Sequence, residues 1–363
     1  MRNISILLIY FLIGFLKLLD GEDFSLSYNY ILFSNSKGLW ITFENKSPQL
    51  LYNMMPGWEI TSIVIDTTHK YCYFTEKYHN TENQNVWTYS NAHYFKLIER
   101  PRDHVSINTI IGSVNSNYLY TRTFTYIFPS LNGQYIVVQE EFLEAALFHV
   151  FKKFRRMWNY IDSVPASQFH WFLGWDYTSE KFYYMKEDME MPIPVGLFTN
   201  NVNLTEEKIV FDDRAVSISI KYQMYLTIPW ALPYKKEIPI KLMDLGNGNL
   251  IKIVYEVFDG HPNYYQYSWN PKYPSVLLFQ RDHTPKRDLL KHNLTIISSI
   301  DSLNKSYLIR GDLSYVNWDN TGENCLFTRD GKLFYFNLKE EEEDNLLFFD
   351  ENIEIELFKV IWK

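Results

Sequence analysis

Three aspartates stand at matching places along the chain: Asp66, Asp176 and Asp319. Each closes an apolar run, a polar stretch follows, and an alternating segment begins at Cys72, Phe182 and Cys325 respectively. Carboxylates can ligate a metal or move a proton, but copies at this spacing would be spread around a repeat rather than gathered. At a tight reversal an Asp carboxylate accepts a backbone N–H two residues on, so a structural turn role is expected for all three. The histidines offer no His-Glu-x-x-His and no other ligand register, and His149, between Phe148 and Val150, reads as an ordinary strand residue. No Gly-x-Ser-x-Gly elbow and no phosphate-cradling Gly-rich loop occurs. Neither a catalytic residue nor a metal or cofactor site is therefore expected. Cys72 and Cys325 hold the same place in two copies, so both thiols point in the same sense around a ring. Two buried free thiols are expected rather than a disulfide.

The elements that must carry these residues follow from the same recurrence. Trp175-Asp176, Trp269-Asn270 and Trp318-Asp319 share a frame with Ile65-Asp66 and, more weakly, with Phe128-Pro129. A degenerate copy fits between Ser217 and Val254, and Ile353 to Trp362 ends on Trp like an innermost strand with no unit after it. A repeated strand–turn–strand unit of this length predicts an all-β fold, a β-propeller of four-stranded antiparallel blades. Seven blades are expected, or eight if Arg100 to Asn117 hides more than an insertion. The carboxy-terminal strand should pair with the amino-terminal hairpin (Tyr30 to Phe33 and Leu39 to Phe43) and so remove the open sheet edge. In the first full copy, Val86 to Tyr89 reads as the third strand and Tyr94 to Ile98 as the fourth. Glu140 to Tyr160 has some helical spacing, but the frame asks for strands there. Trp175, Trp269, Trp318 and Trp362 should pack between blades.

A net charge of -8 argues against a nucleic-acid partner, since phosphate contacts need clustered Lys and Arg. Met1-Arg2 followed by the apolar Ile4 to Leu16 reads as a signal peptide over residues 1–21, leaving 22–363 as one propeller domain with no membrane span. The expected address is secreted. Asn45, Asn203, Asn293 and Asn304 then become candidate glycosylation acceptors.

An ordered set of segments resembles the amino-terminal propeller of the dipeptidyl peptidase IV family: Gly174 to Tyr184, Met191 to Phe198, Ile228 to Pro233 and Ile238 to Asp244. Phe128 to Val138 is similar to that family's preceding turn, and His261 to Asp282 to the blade that follows. The resemblance implies an eight-bladed propeller and, in family members, an α/β-hydrolase domain that removes dipeptides. With the sequence stopping at Lys363, no such domain is expected here. The acidic pair that holds the substrate's amino group in the family has no counterpart in Asp162 to Gln168. Glu140-Glu141 lies nearest, at a strand end. The family's substrate-contacting Arg is missing from Tyr78 to Asn85. The expectation is a non-catalytic binding module engaging a protein or peptide partner through mouth loops, with Tyr78 to Asn85, Arg100 to Asn117 and Pro229 to Glu237 as candidates. The rival expectations are an accessory or decoy chain for a separate peptidase, and a metal-centred propeller hydrolase.

Overall fold

The computed structural model describes residues 28–44, 46–66, 70–80, 87–97, 105–115, 122–142, 145–155, 157–163, 169–187, 194–228, 237–257, 265–281, 291–298, 305–310, 313–338, 345–348 and 353–362. Within them every regular element is a strand, and the strands form seven four-stranded antiparallel sheets. Each sheet is one blade of a β-propeller. The innermost strands of blades 1 to 7 are Leu357–Trp362, Trp58–Ile65, Arg122–Pro129, Phe169–Trp175, Ala215–Ser219, Tyr265–Trp269 and Leu313–Trp318.

Blade 1 is composite. The carboxy-terminal strand Leu357–Trp362 pairs with the amino-terminal strand Tyr28–Asn35, setting Phe358 opposite Phe33 and Ile361 opposite Tyr30. An apolar cluster then fills each junction between neighbouring blades. Ile31, Phe33 and Phe358 meet Leu326 and Leu333 at the junction of blades 7 and 1. Val137 and Phe148 meet Trp175 and Phe182 at that of blades 3 and 4. The remaining five junctions are filled in the same manner. A core divided among seven radial seams is what alternation in strands covered on both faces produces.

The repeated tryptophans bind the seams polar-to-polar as well. Nε1 of Trp175 donates to the Phe128 carbonyl at 3.0 Å, Trp269 to Ser217 Oγ at 2.9 Å and Trp318 to the Ser268 carbonyl at 2.8 Å. Each bond runs from the end of one innermost strand to the innermost strand of the preceding blade. A buried indole needs a partner for its N–H, and the neighbouring blade supplies it. Trp362 is partly buried at the seam of blades 7 and 1.

Several sequence expectations need correction. Val86 to Tyr89 and Tyr94 to Ile98 are not two strands: Trp87–Lys96 is a single third strand, pairing with Tyr71–Asn80 along its length. The fourth strand is Asn108–Asn115, inside the segment read as an inserted loop, so Arg100 to Asn117 is in part blade. An alternating run of aromatic and polar residues continues through Ser90-Asn91, and no turn residue with a positive φ breaks it. The turn position in blade 3 is Ser130 rather than Pro129, because Ser130 N bonds the Tyr135 carbonyl as Asp176 N bonds that of Lys181. Proline has no N–H with which to close that turn. As the repeat frame asks, the stretch with some helical spacing is strand in its described parts, Tyr135–Phe142, Ala145–Phe154 and Met157–Ser163, with a turn at Arg155.

Candidate binding site

The innermost strands all run towards one mouth of the ring, where in blades 2 to 7 the chain reverses into the second strand. At Asp66 the carboxylate accepts the N–H groups of Lys70 and Tyr71. At Asp176 it accepts Lys181 N and the Thr178 hydroxyl, and at Asp319 Gly322 N and the Thr321 hydroxyl. The accepted amides therefore lie three to five residues on, one turn further than a simple Asx turn reaches. Neighbouring turns are also tied to each other. Asn132 N donates to Ser179 Oγ, the Tyr177 hydroxyl to the Ile220 carbonyl, the Tyr222 hydroxyl to the Asn270 carbonyl, and Asn270 Nδ2 to the Gly322 carbonyl. Around this mouth, each turn is tied to the next by polar groups from blade 3 to blade 7.

The opposite mouth, where the innermost strands begin, is different. Between blades 1, 2 and 3 it holds a cleft of about 340 Å³ lined by Glu59, Thr61, Lys77, Thr125, Tyr126, Glu141 and Glu356, with Ile60 and Leu357. Glu59 and Lys77 are cross-strand partners, and their charges meet at 2.9 Å. Glu141 accepts from Gln139 Nε2 at 3.0 Å. The Glu356 carboxyl is pushed above the usual carboxylate range by burial, then by Glu59 and Glu354 nearby. The Tyr126 hydroxyl is likewise pushed up, by burial and by Glu141 and Tyr315, although 46% of the residue stays exposed. Below the cleft lies a hydroxyl layer: Thr75 Oγ1 sits 2.7 Å from both Thr61 Oγ1 and Ser62 Oγ and donates to the Thr125 carbonyl. Thr125 itself is 8% exposed, and its hydroxyl oxygen has no partner among the described residues.

Two buried carboxylates lie behind this mouth, and both are paired with histidine. In blade 2, Glu76 Oε1 accepts from the Tyr52 hydroxyl at 3.0 Å and from Asn91 Nδ2 at 2.9 Å, with His93 Nε2 at 3.0 Å. In blade 3, Glu140 Oε2 lies 3.0 Å from His149 Nε2. Each Glu is on a second strand, and each His is on the third, two residues beyond the direct partner of the Glu. His149 is thus the partner of a buried acid. Strand alternation sends Glu140 into the blade and leaves its neighbour Glu141 on the cleft, so the adjacent pair cannot act as one two-carboxylate clamp. No group of three or more His, Cys, Asp and Glu side chains gathers for a metal among the described residues.

The other sequence candidates fall elsewhere. Cys72 is buried in the seam of blades 1 and 2 and Cys325 in that of blades 6 and 7; both are free thiols, pushed up by burial. Asn203 is exposed in a turn, Asn293 lies within the strand Lys291–Ser298, and Asn45, Asn304 and residues 1–21 lie outside the described residues. Of the predicted loops, Tyr78 belongs to a strand, while 81–86 and 229–236 lie outside the described residues. Sequence reading missed the cleft because its residues come from three blades and from no shared motif.

No protein-family model matches the chain, and no curated protein matches its sequence. Solved structures do match its fold. A protein described as a candidate 6-phosphogluconolactonase from Bacteroides fragilis is 12% identical, with 94% of this chain and 99% of that one covered and a TM-score of 0.56. A similarly described protein from Bacteroides uniformis gives 10% identity, 92% and 100% coverage and a TM-score of 0.56. An uncharacterised protein from Listeria monocytogenes gives 10%, 91% and 94% and a TM-score of 0.53. At such identities the likeness establishes the fold alone.

Proposed function

We propose that this chain is a secreted, non-catalytic interaction module that engages a protein or peptide partner at the mouth where its innermost strands begin. The observation that carries this reading is the contrast between the two mouths. One spends its polar groups on ties between neighbouring turns, while the other keeps three carboxylates and a half-exposed tyrosine around an open cleft. A rigid ring with one such face is how propellers present binding groups. Secretion is supported by the signal-like residues 1–21, and the lack of a Gly-x-Ser-x-Gly elbow in the sequence supports a non-catalytic role.

The test is site-specific photo-cross-linking in the extracellular fluid of the source. A benzoylphenylalanine in place of Tyr126 should yield a discrete adduct. The same group in place of Tyr177, 63% exposed at the opposite mouth, should not. Adducts at Tyr177 alone, or at neither position, would refute the reading.

The resemblance to the dipeptidyl peptidase IV propeller favours one more specific role, as an accessory or decoy chain for a separate peptidase. The ordered segments from Gly174 to Asp244 support it, and the propeller fold is compatible with it. Co-purification with a full-length peptidase would sustain this role; a Tyr126 adduct that is not a peptidase would exclude it.

A further inference from the structure

We propose that the cleft between blades 1, 2 and 3 receives the guanidinium of an arginine side chain carried by the protein partner; this rests on the reading of that mouth as the binding face. Three carboxylates, Glu59, Glu141 and Glu356, surround the cleft against a single ammonium, Lys77. Lys77 is already committed to Glu59 at 2.9 Å, and Glu141 to Gln139. The Glu356 carboxyl makes no hydrogen bond or ion pair among the described residues, and it faces Glu59 and Glu354.

Thr125 supplies the second, independent sign. Its side chain is buried with the residue only 8% exposed, it lines this cleft, and its hydroxyl oxygen has no partner among the described residues. A buried hydroxyl left unsatisfied costs stability, and an incoming N–H donor would relieve it.

The shape of the cation follows from the spacing of the acceptors. Among the described residues the carboxylates line one cleft yet do not gather as a metal-holding group. A planar cation with several N–H donors can serve separated acceptors at once, and guanidinium carries five. Tyr126 adds an exposed ring at the same wall, on which a guanidinium stacks better than an ammonium.

The experiment is calorimetric titration of the full chain with a blocked tetra-arginine peptide, with tetra-lysine and tetra-citrulline peptides as controls. Saturable binding is expected for arginine, weaker binding for lysine, and none for the uncharged citrulline. The double variant Glu59→Gln, Glu356→Gln should bind arginine roughly tenfold more weakly or worse. Tyr126→Ala, which keeps every carboxylate, should close the gap between arginine and lysine. If the double variant does not fold, Glu141→Gln serves in its place. No binding of the arginine peptide, unchanged affinity in the carboxamide variants, or equal affinity for lysine or citrulline would each overturn the proposal. Partner adducts at Tyr126 that persist in the double variant would sink the arginine assignment while leaving the mouth as the binding face.

Discussion

At Glu76 one carboxylate oxygen accepts from Tyr52, Asn91 and His93, groups drawn from two blades. Burial alone would raise this carboxyl, but the three donors together hold it below the usual carboxylate range. Its folded value is depressed, so the stabilisation is complete above the ordinary value of 4.5 and is lost as pH falls through the folded value. Melting temperature should therefore drop more steeply below about pH 4.5 in the wild type than in Glu76→Gln; parallel curves in the two proteins would contradict this. Glu76→Ala should cost about 3 kcal/mol in denaturant titration, because Tyr52, Asn91 and His93 would all lose their acceptor in a buried site. None of this was legible in the sequence. Glu76 and His93 lie on different strands, and only the register of Trp87–Lys96 on Tyr71–Asn80 brings them together. The same holds for the cleft: Glu59, Glu141 and Glu356 share no motif, and the ring alone makes them neighbours.

The strand–turn–strand unit is where the sequence spoke most clearly. Trp175-Asp176 and Trp318-Asp319 mark the end of an innermost strand because the indole must reach the preceding blade and the carboxylate must organise the turn. What spacing could not convey is that the indole N–H bonds a backbone carbonyl across the seam. Trp318→Phe should cost about 1 kcal/mol or more in chemical denaturation, since it removes that bond and leaves the Ser268 carbonyl without this donor. A larger effect is expected one turn later. Gly322 has φ +72, and an added Cβ would lie 2.2 Å from Asn270 Oδ1, the side chain that ties blade 6 to blade 7. Gly322→Ala should therefore destabilise by about 2 kcal/mol, and an unchanged unfolding midpoint would show that the turns do not hold each other. Units without the Trp-Asp signal were read less well. In blade 2 the long strand Trp87–Lys96 passes through polar residues that resemble a turn in composition, although its hydrogen-bond ladder is continuous.

For the whole molecule the decisive element is the strand Leu357–Trp362, which gives blade 1 its innermost strand and joins the last residues to the first hairpin. Its apolar ending was readable as a strand without a following unit, and the amino-terminal hairpin as one without an inner partner. Their union was thus foreseeable from an accounting of sheet edges. The cleft depends on it too, since Glu356 and Leu357 form one of its walls. Removing residues 357–362 should expose the edge of Tyr28–Asn35, lower the melting temperature and promote self-association, visible by sedimentation. The most direct test is native-state hydrogen exchange on the amides of Leu357–Trp362. A closed ring predicts protection comparable with that of Tyr28–Asn35, lost only in global unfolding. Exchange at the rate of a fraying terminus, while Tyr28–Asn35 stays protected, would contradict the closure on which both the seams and the binding face rest.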